Sequence, residues 1–369
     1  MSPKLGDYCS VIMGQAPPGD TYSATEGTPL IAGAGDFSKG QLRPKKFTSK
    51  PSRLSKAGDI VLSIRASIGD KVWADGEYCL GRGVAALRPS ADLDRSFLWH
   101  WLNHAEPSLQ AKAKGATFLQ VNRSDIADLP IALPPLDEQR RIAAILDKTD
   151  ELRTKRREAL AHLDTLTHSI FHSMFEEVEF PVAPLGSVAR FFGGNSLPQG
   201  HSFENQRTGY LLLKVSDMNR SGNERRLVTA GAWSETPGSK ASTCPAGCVV
   251  LPKRGASIST NKKRLTVRAS VLDPNLMAVE PSPALDPAYL FAWFDNFDLT
   301  AITSGSSVPQ LNKQDLHPLP ISVPPLELQQ TFATRVAAVE RLKEAHRKHL
   351  AELDALFASL QHRAFKGEL

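Results

Sequence analysis

The stretch Leu129-Pro130-Ile131-Ala132-Leu133-Pro134-Pro135-Leu136-Asp137-Glu138-Gln139 returns 190 residues later as Leu319-Pro320-Ile321-Ser322-Val323-Pro324-Pro325-Leu326-Glu327-Leu328-Gln329. A proline pair followed by acidic residues marks a helix start. Proline's missing N–H would have no partner in the first turn, and carboxylates favour the positive end of the helix dipole. A long helix is therefore expected after each pair. Just upstream, Gln120, Asn122 and Asp125 meet Gln310, Asn312 and Asp315 at the same spacing. Farther back the offset drifts, to 189 at an apolar run and to 180 at the start of the chain. Ala57-Gly58-Asp59-Ile60-Val61-Leu62 with Arg65-Ala66-Ser67-Ile68 becomes Ala246-Gly247-Cys248-Val249-Val250-Leu251 with Arg254-Gly255-Ala256-Ser257-Ile258, and Leu5-Gly6 becomes Leu185-Gly186. A period of about half the chain means a duplicated domain, because solenoid repeats run only about 20 to 50 residues.

Each copy begins with a region rich in Gly, Pro and short β-branched runs, which read as strands between turns. The division this predicts is a β-rich region over 1–134, a helical segment over 135–180, a second β-rich region over 181–323 and a second helical segment over 324–369. The fold class is α+β, with an internal repeat of pseudo-twofold character. Positions 142, 145, 149, 152, 156, 159, 163, 166 and 170, and the same positions plus 190, carry mostly apolar residues at heptad spacing, which argues for a coiled-coil seam. Arg156, His346 and His349 make its middle polar. If the helices run antiparallel, Arg156 faces Asp354 and Asp164 faces His346. The alternative is that these charges reach past the seam into solvent.

Composition narrows the class without naming it. With 41% hydrophobic and 22% charged residues, the 369-residue chain has enough apolar material for more than one core and is not a disordered polymer. Lys and Arg exceed Asp and Glu by five and the pI is near 9.0, which permits a nucleic-acid partner without requiring one. Cys9, Cys79, Cys244 and Cys248 are too few and scattered for a disulfide framework, and the spacing of the last two does not suit zinc; buried or half-buried free thiols are expected. Met1-Ser2-Pro3-Lys4-Leu5-Gly6-Asp7 has no apolar segment of signal-peptide type, and nowhere do eighteen apolar residues run together. A cytoplasmic protein with no membrane association is expected.

Catalytic signatures are missing. There is no phosphate-binding loop, dinucleotide fingerprint, nucleophile elbow or zinc helix pair, and no Asn-Pro-Pro-Tyr/Phe tetrapeptide of adenine methylation. No catalytic residue, metal or cofactor is assigned. What remains is positive charge in matching loops. The first region holds Arg43, Lys45 and Lys46 among Lys50, Arg53 and Lys56, then Arg65, Lys71 and Arg82. The second holds Arg220, Arg225, Arg226, Lys253 and Arg254, and the run Asn261-Lys262-Lys263-Arg264. Lys and Arg on phosphates supply affinity, and Arg, Asn and Gln in a groove read base edges. Such loops are also ordinary solvated turns, and Gln120-Asn122 and Gln310-Asn312 also suit turns anchored by their own side chains.

The doubled Leu-Pro-Ile-x-x-Pro-Pro-Leu string, each copy preceded by Gln-x-Asn, resembles the specificity subunits of type I restriction-modification systems over essentially the whole chain. That resemblance implies two target-recognition domains, at 1–134 and 181–323, separated by two helices paired as an antiparallel coiled coil. Each domain would read half of a split site in double-stranded DNA, with the helices as the ruler between half-sites. A helix of about 35 residues spans roughly 50 Å, enough to bridge half-sites one duplex turn, about 34–36 Å, apart. It also implies partners: two methyltransferase subunits, which bring S-adenosylmethionine, and restriction subunits with an ATP motor in the full complex. The second copy departs from the pattern at Leu328 and at Gln330-Thr331-Phe332, which is expected to alter one of two equivalent partner contacts and not the fold. A self-contained methyltransferase or nuclease with an unrecognised site, and a helical scaffold without a DNA role, are the competing readings.

Overall fold

Ile60–Ser63 is buried along its whole length, and the reason is that it has a core on each face. Side chains alternate across a strand, so Ile60 and Leu62 enter one apolar cluster with Phe97, Leu98 and Leu102, while Val61 enters another with Ile31, Leu80 and Ala86. The equivalent strand, Val249–Pro252, is also fully buried. Its Val249 and Leu251 join Tyr289, Leu290 and Phe294, and its Val250 joins Leu211, Leu213 and Leu272. A continuous apolar run thus records a strand sandwiched between a helix layer and a second sheet.

The computed structural model describes residues 3–115, 119–303 and 309–369. Met1 and Ser2, which open the N-terminal segment read above, lie outside them. The chain divides into two compact units, 1–157 with 348–369, and 158–347. The dividing points fall inside the two long helices, Leu136–Phe175 and Leu326–Lys366, of 40 and 41 residues.

In the first unit, a four-stranded antiparallel sheet has the order Cys9–Met13, Val84–Pro89, Ile60–Ser63, Lys71–Trp73. Its register sets Cys9 opposite Pro89 and Val84 opposite Ser63. A second sheet orders Tyr22–Ser23, Lys46–Thr48, Thr28–Ile31 and Cys79–Leu80, the last pair parallel. Helix Arg95–Ala111 covers the first sheet.

The second unit has a five-stranded sheet ordered Ala189–Gly193, Leu276–Pro281, Val249–Pro252, Arg264–Thr266, Arg226–Leu227. A second five-stranded sheet is centred on Tyr210–Leu213, which pairs in parallel with Ser270–Leu272. Helix Pro287–Asp295 occupies the place that Arg95–Ala111 holds in the first unit.

The signature string works as a joint in each unit. Leu5 and Leu185 donate their N–H groups to the carbonyls of Leu129 and Leu319, at 2.9 and 2.8 Å. The glycines that follow sit against the turn ahead of the string, where a Cβ on Gly6 would lie 2.9 Å from that of Ala127 and one on Gly186 2.0 Å from Nδ1 of His317. The glutamine that ends the string is buried, and its amide satisfies three backbone groups. Gln139 Nε2 donates to the carbonyls of Asp92 and Pro134, and Oε1 accepts from Asp94 N–H. Gln329 repeats this with Ala284, Pro324 and Asp286. Asp94 and Asp286 in turn cap the helices of the two units.

The buried stripe of the long helices keeps Ile142, Thr149, Phe332 and Val339 of the expected heptad set and departs from it elsewhere. Leu152, Leu166, Leu342 and Leu356, all assigned to the seam, are 40–52% exposed. The buried positions are Gln139, Ile142, Ala143, Leu146, Thr149, Thr167, Phe171 and Phe175 on one helix and Gln329, Phe332, Val336, Val339, Lys343, Phe357 and Ala364 on the other. Each helix half serves the core of its own unit as well as the other helix, which adds Leu146 and Phe171 to the stripe. Ion pairs join the two helices within each unit. Asp354 takes Arg153 Nε at 2.6 Å and Arg157 at 3.2 Å, with the Arg153 guanidinium over the Phe357 ring. Asp164 takes Lys343 at 2.9 Å. The Phe332 that breaks the repeat fills the core position of Ile142.

Candidate nucleic-acid interface

In both units the end of the central strand is tied to the Gln-x-Asn segment. Arg65 and Gln120 form an antiparallel bridge, as do Arg254 and Gln310. Val121 N–H donates to Ile64 O at 3.1 Å, and Leu311 N–H to Lys253 O at 2.9 Å. The repeat therefore carries an arginine and a glutamine, distant in sequence, to one place in each unit.

The asparagines two residues on start short helices. Asn122 Oδ1 accepts Asp125 N–H while Asp125 Oδ2 accepts Asn122 N–H, a reciprocal cap. Asn312 N–H donates to Asp315 Oδ2, and Asn312 Oδ1 accepts from Gln310 Nε2. The asparagine carbonyls are thus taken within the turn. The helix positions that follow are Arg123 and Lys313, both exposed. They match at the 190-residue spacing, so the duplication itself marks them. Lys313 Nζ donates to Phe191 O.

In the first unit Arg65 and Arg82 are exposed and line a cleft with Tyr22, Gly33, Gly35 and Ser67. Lys45 donates to the carbonyl of Gly35 on the same loop, and Lys46 lies over the Tyr22 ring. Arg43 is exposed and bonds Gln41. Five of the basic residues singled out from the sequence are thus carried by the strand ends and loops around this cleft. Lys71 is not among them: its ammonium is over Trp99, and burial pulls it down to about 8.

In the second unit Lys253 and Arg254 stand beside Gln310. Burial lowers the Lys253 ammonium from its ordinary value, and the charges of Arg254 and Lys313 add to this. Arg220 is exposed, with Nε on the buried Asp217 carboxylate at 2.7 Å. Arg226 is exposed on its strand, whereas neighbouring Arg225 turns inward over the Phe291 ring and pairs with Glu340 at 3.6 Å.

The run Asn261–Arg264 is mostly absorbed by the fold. Asn261 adopts a left-handed turn and accepts Leu299 N–H. Lys262 bonds Asn219. Lys263 is 2% exposed and donates to Phe297 O at 2.6 Å, and burial pulls its ammonium down to about 8. Arg264 is half-buried and holds the carbonyls of Met218 and Lys263. The density of charge in this run does not reveal that its donors close loops.

All four cysteines are free and buried. Among the described residues, no group of three or more His, Cys, Asp or Glu is placed to hold a metal, and no helix is long and apolar enough to cross a membrane.

Residues 1–162 and 265–355 match the type I restriction modification DNA specificity domain, and the chain belongs to that family. A Methanocaldococcus jannaschii protein, provisionally named type I restriction enzyme MjaX specificity subunit, is 34% identical over 154 residues, covering 41% of this chain and 36% of that protein's length. The chain thus spans only about a third of that relative. The type I restriction enzyme MjaIX specificity subunit of the same organism is 20% identical over 344 residues, covering 86% of this chain and 79% of the relative. In fold, the chain is similar to the S subunit of a type I restriction-modification system from M. genitalium, with a TM-score of 0.63, 15% identity and coverage of 99% and 96%.

Proposed function

We propose that this chain is the DNA-reading subunit of a type I restriction-modification complex, acting on double-stranded DNA. The observation that carries the reading is the duplicated bridge, Arg65 with Gln120 and Arg254 with Gln310. Two copies of one base-reading chemistry suit a target split into two parts. Residues 1–134 and 181–323 are the recognition domains, and 135–180 with 324–369 form an antiparallel coiled-coil spacer, related by a pseudo-twofold axis. The ion pairs of Arg153 with Asp354 and of Lys343 with Asp164 support that pairing sense.

Within this reading, the exposed Arg43, Lys45, Lys46, Arg65, Arg82, Arg220, Arg226 and Arg254 face the duplex, with Lys253, Gln120 and Gln310 beside them. Lys263 and Arg225 serve the fold. The chain contributes recognition, and methyl transfer belongs to partner methyltransferase subunits docked on the helices. Restriction subunits complete the full complex, in the cytoplasm. The purified chain with labelled S-adenosylmethionine and DNA should transfer no methyl group until a methyltransferase subunit is added. Transfer by the chain alone would favour a self-contained enzyme instead.

A further inference from the structure

One turn has the same hydrogen bonds in both units and a different residue at its tip. Gly81 N–H donates to Ile31 O at 2.8 Å, and Asp273 N–H to Leu213 O at 3.0 Å. Val84 N–H closes the first turn on Gly81 O, and Leu276 N–H closes the second on Asp273 O. The far side is tied by Ile64 N–H to Gly83 O and by Lys253 N–H to Asn275 O. The strand beside it repeats as well, with Gly14 N–H on Val84 O and Gly194 N–H on Leu276 O, both at 3.0 Å. The residue at the tip is Arg82 in the first unit and Pro274 in the second.

The first turn is fixed by close packing. A Cβ on Gly81 would lie 2.9 Å from Ala32 Cα, and one on Gly83 2.3 Å from Ala32 O, so neither position accepts a side chain unless backbone moves. Arg82 stands between them, exposed, on the same cleft as Arg65. Among the described residues its guanidinium has no hydrogen-bond or ion-pair partner, unlike Arg43, Lys45 and Arg220. A rigid backbone presenting a free planar donor fork is suited to directional recognition, whereas phosphate attraction needs only charge. A guanidinium pairs bidentately with O6 and N7 of guanine in the major groove, and proline offers no donor.

We propose that Arg82 is a specificity-determining residue that reads a guanine in the part of the DNA site bound by the first unit, and that Pro274 leaves the equivalent position of the other part without that requirement. The inference rests on the DNA-reading function proposed above.

The full chain, assembled with its methyltransferase subunits, is presented with a library of randomised duplexes, and the bound sequences are compared for wild type, Arg82→Ala and Arg82→Gln. Wild type should select a split site. Arg82→Ala should lose one G·C requirement in one part only, by about 5- to 150-fold, with every other position kept. Arg82→Gln should move that position toward adenine, glutamine's usual partner. Should both variants select the wild-type site, with affinity unchanged or weakened for all sequences alike, Arg82 does not read a base and the inference falls while DNA reading stands. Variants that cannot be obtained folded would assign Arg82 to the scaffold, and the inference would fall in the same way. A wild-type complex that selects no sequence would overturn the DNA-reading function itself and the inference with it.

Discussion

Gln139 accepts the backbone N–H of Asp94 at 2.8 Å, and Asp94 caps the helix of the first unit with the carboxylate of the same residue. One buried amide therefore connects the start of a long helix to the start of the helix that covers the sheet, and Gln329 with Asp286 does the same in the second unit. Gln139→Leu would strand Asp94 N–H and the carbonyls of Asp92 and Pro134. The expected loss is roughly 3 kcal/mol, since each buried unpaired group costs about 1–3 kcal/mol and the site relaxes in part. Urea unfolding followed by a signal from the first unit measures it; a loss below about 0.5 kcal/mol would show that water replaces the amide.

Lys263 gives a pH signature. Its ammonium titrates near 8 in the folded chain against an ordinary 10.5, because burial disfavours the charge. Between these values the unfolded chain binds more protons than the folded one, so stability contributed at this position rises with pH from about 8 to 10.5. Wild type should therefore gain on Lys263→Met across that window in parallel denaturation series. A flat difference would mean that the ammonium is solvated.

Arg225 and Arg226 are adjacent and should behave differently. Arg225→Ala removes the contact with Phe291 and the Glu340 pair, so about 1 kcal/mol of stability should go while the salt dependence of DNA binding by the complex stays the same. Arg226→Ala should leave stability alone and, if it meets a phosphate, lower the slope of log affinity against log salt by about one. The opposite assignment of effects would contradict the geometry described for the strand that carries them.

Much of this was legible in the sequence because duplication makes two independent copies of each constraint. The proline pair, the buried strand and the Gln-x-Asn segment were visible as repeats, and each is a joint or a core element. The role of Gln139 was not legible, since its partners Asp92 and Asp94 lie 47 and 45 residues away. Heptad spacing found Ile142 and Thr149 but not Leu146, because it assumes that a helix packs only on another helix, whereas Leu146 also packs on the first unit's core. Charge density misled at Lys263 for a related reason: a loop that must bury a carbonyl, here that of Phe297, can recruit a lysine to do it.

The most direct test is to map methylated adenines, by single-molecule sequencing, in DNA exposed to this chain together with its methyltransferase subunits. The expected result is methylation at one split site, two specified parts of different sequence separated by an unread spacer of fixed length, lost when the chain is omitted. Methylation at a continuous site, or methylation that persists without this chain, would contradict the claim that its two units read two parts of one target.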